Sequence, residues 1–533
     1  MSRPPKARTP WGALVLVAVA FYWRWGYAFG TGDHDEMIPQ LLRMLDDDLF
    51  SRDWYVMGEA GRMTVRLPFL LLLRALCVVL PLEAAVFMLW AATLLALAWG
   101  LCRLFLTCFA DDQAAAVLGA FAALVVTTDW PLGKNALAAP LIAPEPIAWA
   151  LALPALVLFA EGRRKPAALL LGVAAWVQLL VGLLTAFALG LLMLWEVFDA
   201  REKKRGAHEA LVFGLLFFLA ASPVFVPTVI AQTGGLPVPD DGLSTWYVIA
   251  ALRQPHHYLF FSFGPRAWAQ AALLATSGTA ALLLLQRRGG PLKEGRFVGR
   301  SLLVIAGLCG VYLLFTEGLP SLTIAKLQFY KLTVPAQVLL TFAVVSLAWA
   351  WLPPRWAARA NAWLDRRGLV GAVGFTALAA TVGLTVGGVG RPAALWQPAR
   401  HRASALYAVE RWAQDSTATD ALFLIPPSET TFRTWARRSV VINEKPTPFR
   451  DAAMHERLAR LRAVAPAPLP RRGIGFTEAM DDAYYRNTPA DWQRLGRQFG
   501  TDYALVDTTR LVAPPSPERA FAAGRWAVYR LRR

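Results

Sequence analysis

Four consecutive ionisable residues, Asp33, His34, Asp35 and Glu36, follow the first long apolar stretch of the chain. Carboxylates concentrated at the end of an apolar helix, in a chain of net charge +17, are candidates for a general base acting on an acceptor hydroxyl. A neighbouring carboxylate could also bind a divalent cation, Mg²⁺ or Mn²⁺, and Asp35 and Glu36 are the candidate ligands. The alternative is structural, because acidic residues stabilise the first turn of a helix predicted over 37–45.

A further carboxylate, Glu145, lies just inside a later apolar stretch, between Pro144 and Pro146. Acidic residues inside membrane spans are costly and usually face a cavity, so Glu145 is a second catalytic candidate. The alternative is an interfacial residue whose carboxylate lies among lipid headgroups.

Six basic or imidazole side chains are candidates for holding a phosphate group, since charged donors bind phosphate oxygens strongly. For the two lysines near position 330 the alternative is anchoring of a helix by reaching to the membrane interface. Adjacent histidines point in different directions and seldom bind one metal ion, which disfavours a metal site for the histidine pair. The six residues are Lys134, Arg253, His256, His257, Lys326 and Lys331.

Recurring apolar runs determine the fold class. The chain has 533 residues, of which 56% are hydrophobic, and many runs are long enough to cross the ~30 Å of a bilayer core. We therefore predict a polytopic α-helical membrane protein with about eleven transmembrane helices. The excess of basic residues then indicates cytoplasmic loops that face anionic lipid, and not a nucleic-acid partner. The predicted spans are 11–30, 84–108, 113–128, 136–160, 166–182, 183–198, 207–230, 266–286, 300–316, 327–351 and 368–388.

The orientation follows from the loops rich in Lys and Arg, which favour the cytoplasm. All of them fall on that side if the apolar segment 64–80 lies along the membrane surface instead of crossing it. Its arginines support this, since one at mid-span costs at least about 2.5 kcal/mol. We predict a bacterial inner-membrane protein with a cytoplasmic N-terminus and with the candidate residues outside. The segment 166–198 could be one tilted helix instead of two. The basic loops are 161–165, 199–205, 287–300 and 353–367.

The composition changes after residue 388. Residues 389–533 are rich in Arg, Asp, Glu and Pro, and short β-prone stretches alternate there with helix-like ones. The β-prone stretches are 421–425, 439–443, 503–507 and 526–531. This predicts a small extracytoplasmic α/β domain. The predicted division is a membrane domain, 1–388, whose outer loop 31–83 carries surface helices, followed by the domain 389–533.

This arrangement resembles the GT-C superfamily, polytopic glycosyltransferases that use polyprenyl-phosphate sugars. Asp33, Asp35 and Glu36 occupy the position of the family's acidic motif in the first outer loop, and the segment 64–80 looks like its surface helix. Glu145 sits where many members carry a second acidic residue. More narrowly, three stretches look like an uncharacterised bacterial branch: Gly32-Asp33-His34, the run 253–258 and the run 437–441.

The resemblance implies transfer of a sugar from a polyprenyl-phosphate donor to an unknown acceptor at the extracytoplasmic face. Asp33 or Asp35 would be the base, and Arg253, His256, Lys326 or Lys331 would hold the donor's phosphate. Two alternatives remain open: a transporter or flippase of a lipid-linked or acidic solute, and a non-catalytic scaffold for envelope assembly. Convergence of the polar residues on one outer cavity favours an enzyme. A path of polar residues through the bilayer favours a transporter, and their dispersion over the molecule favours a scaffold.

Overall fold

The computed structural model describes residues 10–199, 203–233, 237–364 and 395–531. In the part before residue 353, helices dominate, and a few π-helical and 3₁₀ segments join them. The α-helices are α1 (Trp11–Trp25), α2 (His34–Leu45), α3 (Trp54–Glu59), α4 (Leu67–Cys77), α5 (Leu82–Cys108), α6 (Gln113–Phe121), α7 (Pro144–Ala160), α8 (Arg164–Val177), α9 (Leu179–Asp199), α10 (Lys203–Thr233), α11 (Pro255–Tyr258), α12 (Pro265–Arg287), α13 (Gly295–Leu313), α14 (Leu322–Leu327) and α15 (Thr333–Ala350).

Six helical segments of the described chain are long and apolar enough to cross a membrane. A polytopic helical membrane protein is therefore confirmed, whereas the number eleven stays a prediction. The predicted span 368–388 and the predicted domain boundary after residue 388 lie outside the described residues. Several other predicted spans form shorter helices. The six segments are Leu82–Cys108, Leu179–Asp199, Lys203–Gln232, Pro265–Arg287, Gly295–Gly318 and Leu322–Ala350.

The segment 166–198 forms two helices, α8 and α9. The backbone is extended at Gln178, with φ −143° and ψ 102°, and this break separates them. The two helices pack closely: a Cβ added at Gly182 of α9 would lie 2.5 Å from the carbonyl oxygen of Leu171 in α8. The single tilted helix considered from the sequence is therefore not formed.

The segment 64–80 contains α4, which has 11 residues. Such a helix is about 16 Å long, roughly half of the bilayer core, so it is too short to cross. One face is buried through Phe69, Leu70 and Leu73, while Leu71 and Leu72 are exposed. Arg66 precedes this helix and points into the protein, where it contributes to the site described below.

The C-terminal part folds around a mixed five-stranded sheet of order β2-β1-β3-β5-β4. The strand β1 pairs in parallel with β2 and β3, whereas β5 is antiparallel to β3 and β4. The strands are β1 (Leu422–Leu424), β2 (Ser439–Val440), β3 (Tyr503–Asp507), β4 (Arg519–Ala523) and β5 (Trp526–Arg530). The helices are α16 (Gln397–Arg402), α17 (Ala405–Ser416), α18 (Phe432–Ala436), α19 (Asp451–Val464), α20 (Phe476–Tyr485) and α21 (Pro489–Phe499).

The C-terminal part shares an apolar core with the helical bundle. Ile249, Tyr258 and Tyr330 from the bundle belong to the same buried cluster as Met454 and Leu424 from the C-terminal part. Burial of this shared surface fixes the C-terminal loops against the bundle. Loops from both parts can therefore contribute to one site.

Candidate functional site

A cavity of about 740 Å³ lies between the first loop, the start of α7, the segment around α11 and the C-terminal part. Its apolar lining comes from the α8–α9 junction and from α10, and includes Val177, Leu179, Leu183, Phe225 and Val229. The charged and imidazole side chains in its lining are Asp33, Glu36, Arg66, Glu145, Arg253, His256, His257, Lys326, Lys445 and Asp451. One cavity thus combines cations, carboxylates and an apolar wall.

The cavity brings together seven of the ten residues singled out from the sequence. Asp35, Lys134 and Lys331 lie outside its lining; Lys134 is exposed, whereas the other two are buried. The seven that line it are Asp33, Glu36, Glu145, Arg253, His256, His257 and Lys326.

Helical geometry separates the carboxylates of the first loop. Successive residues of an α-helix are rotated by about 100°, so positions 33 and 36 share a face and position 35 points away from it. Accordingly Asp33 and Glu36 face the cavity, whereas Asp35 is fully buried on the other side. This helical spacing is the signal in the sequence that distinguishes Asp33 from Asp35.

Asp33 presents an ionised carboxylate to the cavity. Its side chain forms an ion pair with Lys445 rather than capping α2, and is 54% exposed to the space of the cavity. Burial by the surrounding protein raises the pKa of Asp33, but the charge and hydrogen bond of Lys445, together with smaller effects of His257 and His34, outweigh burial, so that the pKa lies below its ordinary value. Asp33 is therefore charged and accessible at neutral pH.

Asp35 belongs to a buried ion-pair network instead. Its Oδ2 accepts hydrogen bonds from Arg433 Nη1 at 3.0 Å and from Asn443 Nδ2 at 2.8 Å. Arg433 also donates from Nε to Asp53 Oδ2 at 2.7 Å. Burial raises the pKa of Asp35 to about 7, against the opposing effect of Arg433. The network joins the first loop to α18 and β2, so Asp35 connects the two parts of the chain.

Both oxygens of Glu36 are engaged. One pairs with Arg66, and the other accepts a hydrogen bond from Thr447 Oγ1 at 2.9 Å and lies 3.9 Å from Arg253 Nη2. Together with the Arg433 contact of Asp35, this gives both candidate metal ligands cationic partners. The described residues also contain no group of three or more His, Cys, Asp or Glu side chains that could hold a metal ion. With Asp35 and Glu36 both paired to arginines, the residues present do not fit the predicted divalent cation.

A C-terminal segment, 443–449, completes the cavity and was missed from the sequence. Three arginines donate to its backbone: Arg253 Nη2 to Lys445 O at 2.7 Å, Arg66 Nη1 to Thr447 O at 3.1 Å, and Arg457 Nε to Pro446 O at 2.6 Å. These contacts hold Lys445 beside Asp33. The contact of Arg253 joins residues about 190 positions apart in the sequence, and that of Arg66 joins residues about 380 positions apart. No local sequence pattern indicates contacts at such separations.

The two predicted lysines near position 330 are also paired. Lys326 Nζ lies 2.6 Å from Asp451 Oδ1 at the start of α19. Lys331 is buried, and its Nζ lies 2.5 Å from Glu145 Oε2 and 3.2 Å from Asn135 Oδ1. Lys331 therefore holds the carboxylate of Glu145 instead of reaching to a membrane interface.

The histidine pair is neutral. Burial lowers the pKa of His256 to about 3, and the nearby Lys134 and Arg253 contribute in the same direction. Burial likewise lowers the pKa of His257 well below its ordinary value, and the ring Nδ1 lies 2.7 Å from the carbonyl oxygen of Gly133. The two imidazoles therefore face the cavity as uncharged hydrogen-bonding groups.

Comparison with known proteins finds solved structures of similar fold and one matching domain family. The crystal structure of ArnT from Cupriavidus metallidurans bound to undecaprenyl phosphate matches with a TM-score of 0.53 at 13% identity, over 97% of this chain and 96% of that chain. The apo structure of the same ArnT matches with a TM-score of 0.48 at 14% identity and with the same coverage. A model of a domain of unknown function, DUF6798, matches residues 404–464. No curated protein matches the sequence. The likeness to the first ArnT structure shows that this chain shares its fold, while the GT-C superfamily and the narrower bacterial branch stay predictions.

Proposed function

We propose that this protein is a membrane glycosyltransferase that moves a sugar from a polyprenyl-phosphate donor to an acceptor hydroxyl at the extracytoplasmic face, with Asp33 as the base. The observation that carries the proposal is the combination in one cavity of the Asp33 carboxylate, the cations Arg253, Lys326 and Lys445, and an apolar wall from α8, α9 and α10. A lipid phosphate needs both cations for its headgroup and apolar surface for its chain. The shared fold with ArnT, which was solved bound to undecaprenyl phosphate, supports the same donor class.

The reaction follows from the positions of these groups. Asp33 accepts the proton of the acceptor hydroxyl, and the hydroxyl oxygen forms a bond to the anomeric carbon of the donor sugar. The bond between that carbon and the phosphate oxygen breaks, and polyprenyl phosphate leaves. Arg253 and Lys445 stabilise the negative charge that develops on the leaving phosphate. When Lys445 turns to the phosphate, Asp33 loses its partner and becomes more basic.

The orientation belongs to the same proposal. Basic loops at 161–165 and 287–300 favour the cytoplasm, which puts the cavity and the C-terminal part outside. Lipid-linked sugars are available there, whereas nucleotide sugars are scarce. The convergence of Asp33, Glu145 and Arg253 on one cavity favours an enzyme over a scaffold.

Paired substitutions test the proposed base. Purified protein in lipid nanodiscs is given polyprenyl-phosphate sugars, and release of polyprenyl phosphate is measured. Asp33→Asn should lower transfer by at least about 100-fold, because a general base contributes typically that much or more. Asp35→Asn is the matched control, since its carboxylate faces away from the cavity. Undiminished transfer in Asp33→Asn would falsify the assignment of the base to Asp33, and a loss in Asp35→Asn alone would move the base to Asp35.

A further inference from the structure

One hydrogen bond fixes the tautomer of His257. Its Nδ1 lies 2.7 Å from the carbonyl oxygen of Gly133, and a carbonyl can only accept, so Nδ1 carries the proton. The ring is neutral, because burial, His256 and Lys331 lower the pKa of His257 well below its ordinary value. In a neutral imidazole with a protonated Nδ1, Nε2 has a free lone pair and acts as a hydrogen-bond acceptor.

This acceptor is available to a ligand. His257 lines the cavity, and within the described chain the hydrogen bonding of its side chain is confined to Nδ1. The contrast is His34, a buried histidine of the first loop whose two nitrogens are both used. Its Nδ1 accepts from the backbone N–H of Gly30 at 3.0 Å, and its Nε2 donates to the carbonyl oxygen of Ile142 at 3.0 Å. Both ring nitrogens of His34 are thus used within the fold, whereas His257 keeps one nitrogen for a ligand.

The turn that supplies the Gly133 carbonyl is held in an uncommon conformation. Gly133 and Lys134 both have positive φ values, +72° and +50°, and a lysine rarely adopts this conformation. Asn135 stabilises the turn by donating from Nδ2 to Leu132 O at 2.7 Å, and Lys331 Nζ lies 3.2 Å from Asn135 Oδ1. Left-handed backbone that the surroundings hold in place is concentrated at functional sites. Here its effect is to aim a carbonyl at one ring nitrogen of His257.

We propose that His257 and Asp33 form the acceptor subsite and that this subsite selects an acceptor with at least two O–H or N–H donors, such as a sugar or polyol. The inference rests on the proposed function. A hydroxyl has a single hydrogen and cannot donate to both residues. The nucleophilic hydroxyl therefore gives its proton to Asp33, and a second donor of the acceptor bonds to His257 Nε2.

The same subsite disfavours a phosphate group as acceptor. The dianion of a phosphate monoester has no O–H donor and would meet the lone pair of His257 and the carboxylates of Asp33 and Glu145. The cations Arg253 and Lys445 remain for the phosphate of the donor. This separates the roles of neighbouring side chains that the sequence had grouped together: Arg253 takes the donor phosphate, while His257 takes the acceptor.

Nitrogen NMR tests the subsite without any transfer reaction. Full-length protein in lipid nanodiscs is labelled with ¹⁵N-histidine, and the signals of His257 are those lost in His257→Asn, whose amide can still donate to Gly133 O. Among the six histidines, His34 is the internal reference of the opposite tautomer. We expect His257 to be protonated at Nδ1, and its Nε2 to shift as a hydrogen-bond acceptor when methyl glucoside is added but not when the dianion of methyl phosphate is added. A ring protonated at Nε2, an Nε2 unmoved by the glucoside, or an Nε2 moved by methyl phosphate overturns the proposal.

Binding of undecaprenyl phosphate gives a second readout. We expect His257→Asn to bind this lipid within about twofold of the unchanged protein, because His257 does not hold the donor phosphate. Arg253→Gln should bind it about tenfold more weakly or worse, since it loses a charged hydrogen bond. Equal weakening in both variants would assign His257 to the phosphate and overturn the subsite. Neither experiment measures sugar transfer. Failure of the proposed function in the Asp33→Asn assay can therefore be distinguished from failure of the acceptor subsite.

Discussion

Removal of Arg433 should destabilise the protein strongly. Arg433 lies between two carboxylates, 3.0 Å from Asp35 and 2.7 Å from Asp53, and all three side chains are fully buried. The trio has a formal charge of −1, and Arg433→Met leaves two buried carboxylates with a charge of −2. Removing one partner of a buried ion pair costs about 3–5 kcal/mol. We expect the free energy of unfolding of Arg433→Met to fall by about that amount at neutral pH.

This loss of stability in Arg433→Met, the stability deficit, should depend on pH because Asp35 titrates. Burial raises the pKa of Asp35 from 3.8 to about 7, so between these values the folded state binds the proton more tightly than the unfolded chain. Stability therefore rises as the pH falls through this window. In Arg433→Met, protonation of Asp35 also removes one of the two unpaired charges. The deficit should thus be larger at about pH 8 than at about pH 5.5.

Thermal unfolding in detergent at these two pH values measures the effect. Asp35→Asn is the matched control: its amide oxygen can still accept from Arg433 and Asn443, and its NH₂ group replaces Oδ1, which has no partner among the described residues. We expect this control to stay within about 1 kcal/mol of the unchanged protein, and the double variant with Arg433→Met to recover more than about 1 kcal/mol. Unchanged stability in Arg433→Met, or a deficit that is the same at both pH values, would refute the reasoning.

Two further predictions concern Lys445 in the cavity and the close approach of Gly473 to Leu252. Lys445→Met removes the cation that lowers the pKa of Asp33, so the acidic limb of the rate–pH profile should move to higher pH and the affinity for undecaprenyl phosphate should fall. A limb at the original pH would show that Lys445 does not control Asp33. Gly473→Ala should lower the free energy of unfolding by about 2 kcal/mol or more, because the added Cβ would overlap the carbonyl oxygen of Leu252. Unfolding like that of the unchanged protein would contradict this close contact.

Much of the secondary structure could be predicted because it depends on local patterns. Apolar runs long enough to cross a bilayer located the six long helices, and β-branched and aromatic residues located Tyr503–Asp507 and Trp526–Arg530. The strand Arg519–Ala523 was missed, since three of its five residues are alanine, which strands disfavour. Its pairing with Trp526–Arg530 is a tertiary effect that overrides the low propensity.

The site could be predicted only where its residues lie in conspicuous local runs. The acidic run identified Asp33 and Glu36, but Lys445 lies about 400 residues away, in a segment without unusual composition. The same holds for Arg433, which neutralises Asp35 across a sequence separation of 398. Partners brought together by folding leave no periodic signal in one sequence. The role of a carboxylate depends on these partners.

The C-terminal part is therefore a component of the site and not a separate appendage. It supplies Lys445 to Asp33 and, through Arg433, the cation that keeps Asp35 paired. The residues that match DUF6798, 404–464, include both of these cations and the segment 443–449. In return, Arg66 and Arg253 of the bundle donate to the backbone of that segment. Because each part satisfies buried charges of the other, separating them would leave unpaired ions on both sides. We conclude that the first loop and the residues matching DUF6798 are stable in these positions only together.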